Sequence, residues 1–348
     1  MSDTPLPRRP ALRVGGLSLP VRPRALIVCL ALLAACALLA LAGLSLGTLR
    51  LAPADVLRAL AGTGGPDLHL VVMEWRLPRI AGGLLVGLAL GLAGALFQTL
   101  LRNPLGSPDV IGFDAGSFTG ALLVLLAGGG PVLMAAAAFA GGLLAGGLVY
   151  GCAGPGHAQP GKLVLIGIAV GALFTALNDW IIMTVRLDAA VAAASWKLGT
   201  LAGMDAGRLA LGAMLLAGIL PLVLAAARAV RALELGPDKA QALGLRVGRA
   251  QLALAGLGLL LTAIATLLAG PIGFVALIAP QVARRLSGGP GLPLLASGLT
   301  GAVFLMGSDL LARTAFAPRV LPVGAVTAAV GGLYFAAFLR ARLRGERG

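Results

Sequence analysis

RNPLGSPDVIGF, residues 102–113, sets two prolines, two glycines, an arginine and an aspartate between two strongly apolar runs. Neither proline can donate a backbone hydrogen bond, and Gly106 and Gly112 permit dihedrals that other residues avoid, so the stretch reads as a firm break. What it breaks is decided by the surroundings. The chain has 348 residues, 59% of them apolar and only 11% charged, against the roughly 25% charged usual in soluble domains. That is a membrane composition, and the expected fold class is all-α, a polytopic bundle of about ten transmembrane helices.

Windows of about 19 residues place the spans near 25–47, 80–101, 110–128, 131–153, 163–185, 209–227, 251–269, 271–286, 292–312 and 320–340. The third carries Asp114, and the eighth is short and ends in Arg284 and Arg285. The organisation that follows is a basic tail over 1–24, a transmembrane domain over 25–340 with a long polar connection at 228–250, and a short tail over 341–348. Gly83, Gly87 and Gly91 are spaced four apart, as are Gly112, Gly116 and Gly120, and Gly167 and Gly171. Such stripes let helix backbones approach closely and predict one compact bundle.

With an even number of spans and both ends on one side, that side holds eighteen of the 27 Lys and Arg residues. Cytoplasmic loops carry the positive excess, so both termini are expected in the cytoplasm of a multi-pass inner-membrane protein. The net charge of +14 is then mostly topology. Nucleic-acid binding explains it poorly, because the basic residues are scattered over separate loops rather than gathered in one stripe.

Several motifs fail on inspection. Leu33-Ala34-Ala35-Cys36 resembles a lipoprotein signal end, but the apolar run continues through Leu46, and cleavage would cut a span in half. Gly156-His157-Ala158-Gln159-Pro160-Gly161-Lys162 has phosphate-loop spacing, yet Leu163 follows where a magnesium-binding hydroxyl is needed. Cys29, Cys36 and Cys152 lack metal or disulfide spacing. His69 and His157 sit in expected loops without carboxylate or cysteine partners, and no nucleophile, base and orienter can be assembled. The chain is expected to be neither an enzyme nor a cofactor or metal carrier.

Three polar connections are long: about 48–79, 186–208 and 228–250. The last breaks at Gly236-Pro237, after which Asp238 can cap a short helix that stops at Gly244. A short helix pair of mixed charge on the cytoplasmic surface suits docking into a soluble partner.

Taken in order, RLPR (76–79), Gln98 with RNPLGSPDVIGF (102–113), ALGL (242–245), GPIGFVALIAPQVAR (270–284), SDLLAR (308–313) and LPVGAVTAAVGG (321–332) resemble permease subunits of the FecCD type. These are the transmembrane subunits of type II ABC importers for iron-siderophores, haem and cobalamin. The resemblance covers roughly 50–340, with SPDVIGF most similar to permeases for catecholate-type ferric siderophores. Gln281 departs from the pattern, standing where many relatives have histidine.

The resemblance implies an import function without a nucleotide site on this chain: two ATP-binding subunits in the cytoplasm, a second permease subunit, identical or paralogous, and a periplasmic or lipid-anchored substrate-binding protein. It implies coupling to the ATPase through Glu234, Asp238, Ala240, Gln241, Leu243 and Gly244, and docking of acidic residues of the binding protein on Arg76, Arg79 and Arg313. Haem or cobalamin is the alternative cargo. An ion-coupled secondary transporter is the alternative mechanism, and it would want ionisable residues deep in the spans, whereas Asp114, Asp179 and Asp309 fall near predicted span ends.

The break at 102–113 then becomes a cytoplasmic connection that enters a span, tolerable at membrane depth only if shielded by protein or facing a water-filled path. Gln98, Asn103 and Ser107, polar at the end of an apolar run, are expected to face that path. Gly270-Pro271-Ile272-Gly273 breaks the chain similarly. The two stretches together have the pattern of an inverted repeat with the path between its halves.

Overall fold

A computed structural model describes residues 11–14, 17–20, 23–47, 49–154, 160–289, 293–315, 317 and 319–345. It opens on a short antiparallel hairpin of β1 (Ala11–Val14) and β2 (Leu17–Pro20), with Leu12 opposite Leu19 and Val14 opposite Leu17. Apolar residues alternate there with the period of a strand, a local exception to the all-helical expectation within the segment read as a basic tail. The rest is helical. In order come α1 (Pro23–Ser45), α2 (Pro53–Leu60), α3 (Pro66–His69), α4 (Leu77–Leu101), α5 (Phe113–Leu126), α6 (Pro131–Ala153), α7 (Pro160–Thr184) and α8 (Leu187–Lys197). They are followed by α9 (Ala206–Ala225), α10 (Ala227–Glu234), α11 (Pro237–Ala242), α12 (Val247–Ala269), α13 (Val275–Ser287), α14 (Leu294–Thr314) and α15 (Val323–Gly345).

Each of the ten expected spans falls on a helix. Among the described residues, seven helical stretches are long and apolar enough to cross a bilayer: α1, the continuous Pro66–Leu101 run, α6, α7, α9, α12 and α14. Helices α5 and α13, with 14 and 13 residues, reach only about 20 Å at the helical rise. Within the Pro66–Leu101 run, Leu70–Arg76 is a π-helical turn, and the Leu77 N–H reaches back to the Val72 carbonyl. Pro78 has no N–H to offer the carbonyl one turn earlier, and the wider turn absorbs that loss.

Helix α4 is the axis of the bundle, buried along most of its length and enclosed by α12, α13, α14 and α1. Its glycines make this possible. A Cβ at Gly87 would run into the backbone of Gly301 and Ala302, at Gly91 into that of Ser297, and at Gly94 into the Ala276 carbonyl. The second stripe works likewise: Gly116 and Gly120 lie against the Gly141 and Ala137 backbones of α6. Close backbone approach replaces side-chain interdigitation along these seams. By contrast α1 and α7 leave Leu26, Ile27, Leu30, Leu165 and Leu173 exposed, the apolar surface a bilayer would cover.

The pattern of α4, a break and the short α5 recurs as α12, a break and the short α13. Both long helices stop at a left-handed residue, Arg102 (φ 46°) and Gly270 (φ 73°). Partners exchange in step, since α4 packs on α14 while α12 packs on α6. This is the arrangement of two related halves.

Candidate functional site

At the end of α4 the Arg102 N–H caps the Gln98 and Thr99 carbonyls. The Asn103 side chain, exposed, accepts the Leu105 N–H at 2.9 Å and shapes the turn. Gln98 is only 3% exposed. Its Nε2 donates to the Leu277 carbonyl at 3.0 Å, while its Oε1 accepts from Gln281 Nε2 at 2.6 Å. Gln281 Nε2 also donates to the Pro104 carbonyl at 2.9 Å. These two amides tie α4, α13 and the 103–105 turn together.

The second break is fastened from another side. Thr200 donates its backbone N–H to the Ala269 carbonyl at 2.7 Å. Phe274 opens α13 from a left-handed conformation (φ 68°).

Both breaks border one cavity of about 570 Å³. Asp109 and Gly112 come from the first break, Pro271 and Gly273 from the second. Asp114 and Phe118 come from α5, Gly167, Gly171, Thr175 and Asn178 from one face of α7, and Lys197 from the end of α8. Gly112 is left-handed (φ 74°) and lies on Gly171 so closely that a Cβ would strike its backbone; the wall needs glycine here. Asn178, 2% exposed, accepts from Thr119 Oγ1 at 2.7 Å and donates to the Ala115 carbonyl at 3.0 Å, pinning α7 to α5. Asp109 and Asp114 thus border the same space, and Ser107, two residues before Asp109, is buried. At the other end Lys197 Nζ sits 5.3 Å from the Phe118 ring centroid, and Phe118 stacks on Trp196 with centroids 6.2 Å apart.

Of the three residues expected on a path, Ser107 is buried two residues before the cavity-lining Asp109. Gln98 is a packed interior bridge, bonded to the Leu277 carbonyl and the Gln281 side chain, and Asn103 is an exposed turn former. Sequence reading missed Asp109, Asn178 and Lys197. Asn178, polar in the middle of an apolar run, was the available signal.

The three arginines expected at a docking face do come together, at the N-terminal end of α4. Asp309 joins two of them, with Arg79 Nη2 at 2.8 Å and Nε at 3.0 Å from its Oδ1 and Arg313 Nε at 3.0 Å from its Oδ2. The side chains of Arg79, Arg313 and Asp309 are 16%, 10% and 4% exposed. Arg76 is buried, donating from Nη1 to the Leu44 carbonyl at 2.6 Å and from Nη2 to Leu49. It holds the connection after α1 rather than presenting a charge. Three guanidiniums against one carboxylate leave a positive surplus at this end.

The 228–250 connection lies at the opposite, C-terminal end of α4, where Leu233 and Pro237 meet Thr99, Leu100 and Arg102. Here α10 turns at Gly236 into α11, whose N-cap is Gly236 with Pro237 in the first turn. Asp238 makes no capping bond; it sits one residue too far in, where it complements the helix dipole. Asp238, Gln241, Leu243 and Gly244 are exposed and Glu234 half-buried. Ala240 is fully buried beside Val230 and Leu233, so it seats α11 on the bundle and is unavailable to a partner. The proposed phosphate-loop look-alike falls mostly on residues 155–159, outside the described residues, but Lys162 donates to the Ala153 carbonyl at 2.6 Å, the role of a helix cap.

Comparison with known proteins agrees with this architecture. The chain is 42% identical over 322 residues to the ferric enterobactin transport system permease protein FepG of Escherichia coli, covering 92% of this chain and 97% of that one. It is 37% identical to the Fe(3+) dicitrate transport system permease protein FecD of the same organism, over 88% and 97% of the two chains. A solved inward-facing conformation of an ABC transporter assigned to the metal-chelate type superposes with a TM-score of 0.80 at 25% identity, covering 91% of this chain and 99% of that one. Residues 32–341 match the family model described as the FecCD transport family. A long-helix bundle with paired breaks, these relatives and a family match over nearly the whole length lead to one conclusion: the chain belongs to the FecCD transport family.

Proposed function

We propose that the chain is the permease subunit of an ATP-driven importer that moves a ferric siderophore across the cytoplasmic membrane. The observation that carries this reading is a cavity bordered by both helix breaks, with Asp109, Asp114, Thr175, Asn178 and Lys197 set in an otherwise apolar wall, in a member of a transport family whose relatives include permeases for ferric enterobactin and ferric dicitrate. A charged chelate crosses a bilayer only at high cost unless protein shields it. The chain lies in the inner membrane with both termini in the cytoplasm, as the distribution of Lys and Arg favours.

In this reading two ATP-binding subunits dock at the α10–α11 ends of two permease subunits, identical or paralogous. A periplasmic or lipid-anchored binding protein meets the Arg79 end. The positive surplus around Asp309 favours an acidic partner, through bidentate guanidinium–carboxylate pairs. Arg76 contributes from beneath by fixing the Leu44–Leu49 connection. ATP binding and hydrolysis move α11, and α4, in contact with this loop through Thr99–Arg102, transmits the motion to the breaks.

Leu243, 68% exposed at the tip of the loop, is the apolar anchor of the ATPase contact. Leu243→Asp is expected to weaken association with the ATP-binding subunit about tenfold, ~1.4 kcal/mol, while the melting temperature of the isolated chain stays unchanged. Co-purification and titration of the ATPase onto the chain in nanodiscs measure this. Undiminished association of the variant would remove the loop from the interface.

A further inference from the structure

We propose that Asp309 limits the strength of docking at the Arg79 end: it orients the guanidinium groups that an acidic partner would take, while its own charge opposes the incoming carboxylate. This rests on the reading of that end as the face met by a binding protein, and adds what sets how tightly the contact holds.

Arg79 is placed and presented for such a contact. From Arg79 to Leu101 α4 rises about 33 Å, close to the ~30 Å thickness of a hydrocarbon core, so Arg79 stands at the membrane edge opposite the α10–α11 loop. Its guanidinium is used from one side. Nε and Nη2 both donate to Asp309, at 3.0 and 2.8 Å from Oδ1, and among the described residues Nη1 has no hydrogen-bond partner. A guanidinium carries five N–H groups in a planar fork, and the edge left over, Nη1 with the second Nη2 hydrogen, can take another carboxylate in a bidentate pair. The Arg79 side chain is 16% exposed against 4% for Asp309, so solvent touches the cation more than the carboxylate that holds it.

Asp309 is held in place from both sides. Its second oxygen lies 3.0 Å from Arg313 Nε, and Arg313 Nη1 reaches on to the Gly43 carbonyl of α1 at 3.4 Å. Pinned between two cations, the carboxylate cannot swing away when a second acid arrives. An acid seated on the outer edge of Arg79 lies one guanidinium away from Asp309, and at a partly buried site like charges so close repel far more than they would in water. The same residue thus builds the docking face and weakens it. That balance suits a partner that must arrive, deliver and leave in each cycle, because truncating or strengthening a desolvated charge pair acts mainly on the rate of release.

An Asp309 that is only architectural and one that limits affinity predict changes of opposite sign. The full chain with its ATP-binding subunits is held in nanodiscs, and the dissociation constant of a ferric enterobactin-binding protein purified from the same organism is measured by biolayer interferometry at low and high salt. Asp309→Asn keeps an oxygen for Arg79 and removes the charge. It should lower the dissociation constant about tenfold at low salt, chiefly through slower release, and by less than about threefold at high salt. Arg79→Gln should weaken docking about tenfold, and adding Asp309→Asn to it should give back none of the loss. On an Arg313→Gln background, where one cation fewer is left without its counter-charge, Asp309→Asn should again tighten docking; this pair carries the test if the single variant does not fold. Unchanged or weaker docking of folded Asp309→Asn, or a gain that survives Arg79→Gln at full size, overturns the inference while the docking reading stands on the Arg79→Gln loss. Docking indifferent to Arg79→Gln removes this face from the contact, and the inference with it.

Discussion

Gly94→Ala is expected to leave little or no folded protein in the membrane. The added methyl would occupy the position of the Ala276 carbonyl oxygen, and backbone cannot rotate aside as a side chain can. That carbonyl is already exceptional, since its helical partner four residues on is Pro280, which has no N–H. Separating α4 from α13 enough to admit the methyl would also pull Gln98 from Leu277 and Gln281. Overpacking of ordinary cores costs about 1–3 kcal/mol, and a helix–helix seam with no side chain to yield should exceed that range. Gly256→Ala, also in a buried-bundle helix but with open space at its Cβ position, is the control and should be neutral or slightly stabilising. Thermal unfolding of both variants in detergent, followed by size-exclusion, checks this. A Gly94→Ala protein that melts like the parent would mean that α4 and α13 do not meet at this seam.

The second large effect is expected at Asp309. Removing its carboxylate with Asp309→Ala leaves Arg79 and Arg313, both mostly buried, without a counter-charge, at a cost of about 3–5 kcal/mol. Asp309→Asn, which keeps the shape and can still accept hydrogen bonds, should fall between. Adding Arg313→Met to Asp309→Ala should recover part of the loss, since one stranded cation is removed. If Asp309→Ala and the parent unfold together, the charges are solvated rather than paired. The same geometry bears on docking experiments. A Glu at position 79 would face Asp309, so charge reversal there would unfold this end of the bundle before it reported on any partner.

How much of this was legible beforehand varies with the physics involved. Apolar runs located a helix for each of the ten expected spans, because burial in lipid and helix formation make the same demand on sequence. The glycine stripes foretold the seams, and Gly87, Gly91, Gly116 and Gly120 each meet backbone. Local competition was less readable. Asp238 has the chemistry of a cap, yet Gly236 takes that place because Pro237 fits the first helical position. Ala240 looked like any loop alanine until the fold turned it into the core. The arginine cluster was recognised as a group, but its carboxylate partner was not, since Asp309 reaches Arg79 only across the α4–α14 seam. The cavity was the least legible feature: Asp109, Asn178 and Lys197 are distant in sequence, and nothing in their local patterns states that two helix breaks open onto the same space.

The central claim, that this chain moves a ferric siderophore under the drive of an external ATPase, is tested most directly by uptake. The chain is reconstituted into proteoliposomes with its ATP-binding and substrate-binding partners, and accumulation of radiolabelled ferric enterobactin is followed with ATP supplied on the ATPase side. The account predicts accumulation that requires ATP hydrolysis, stops when the ATPase loses its phosphate-binding lysine, and is indifferent to collapse of proton and sodium gradients. Accumulation that continues without hydrolysis and disappears with those gradients would contradict it.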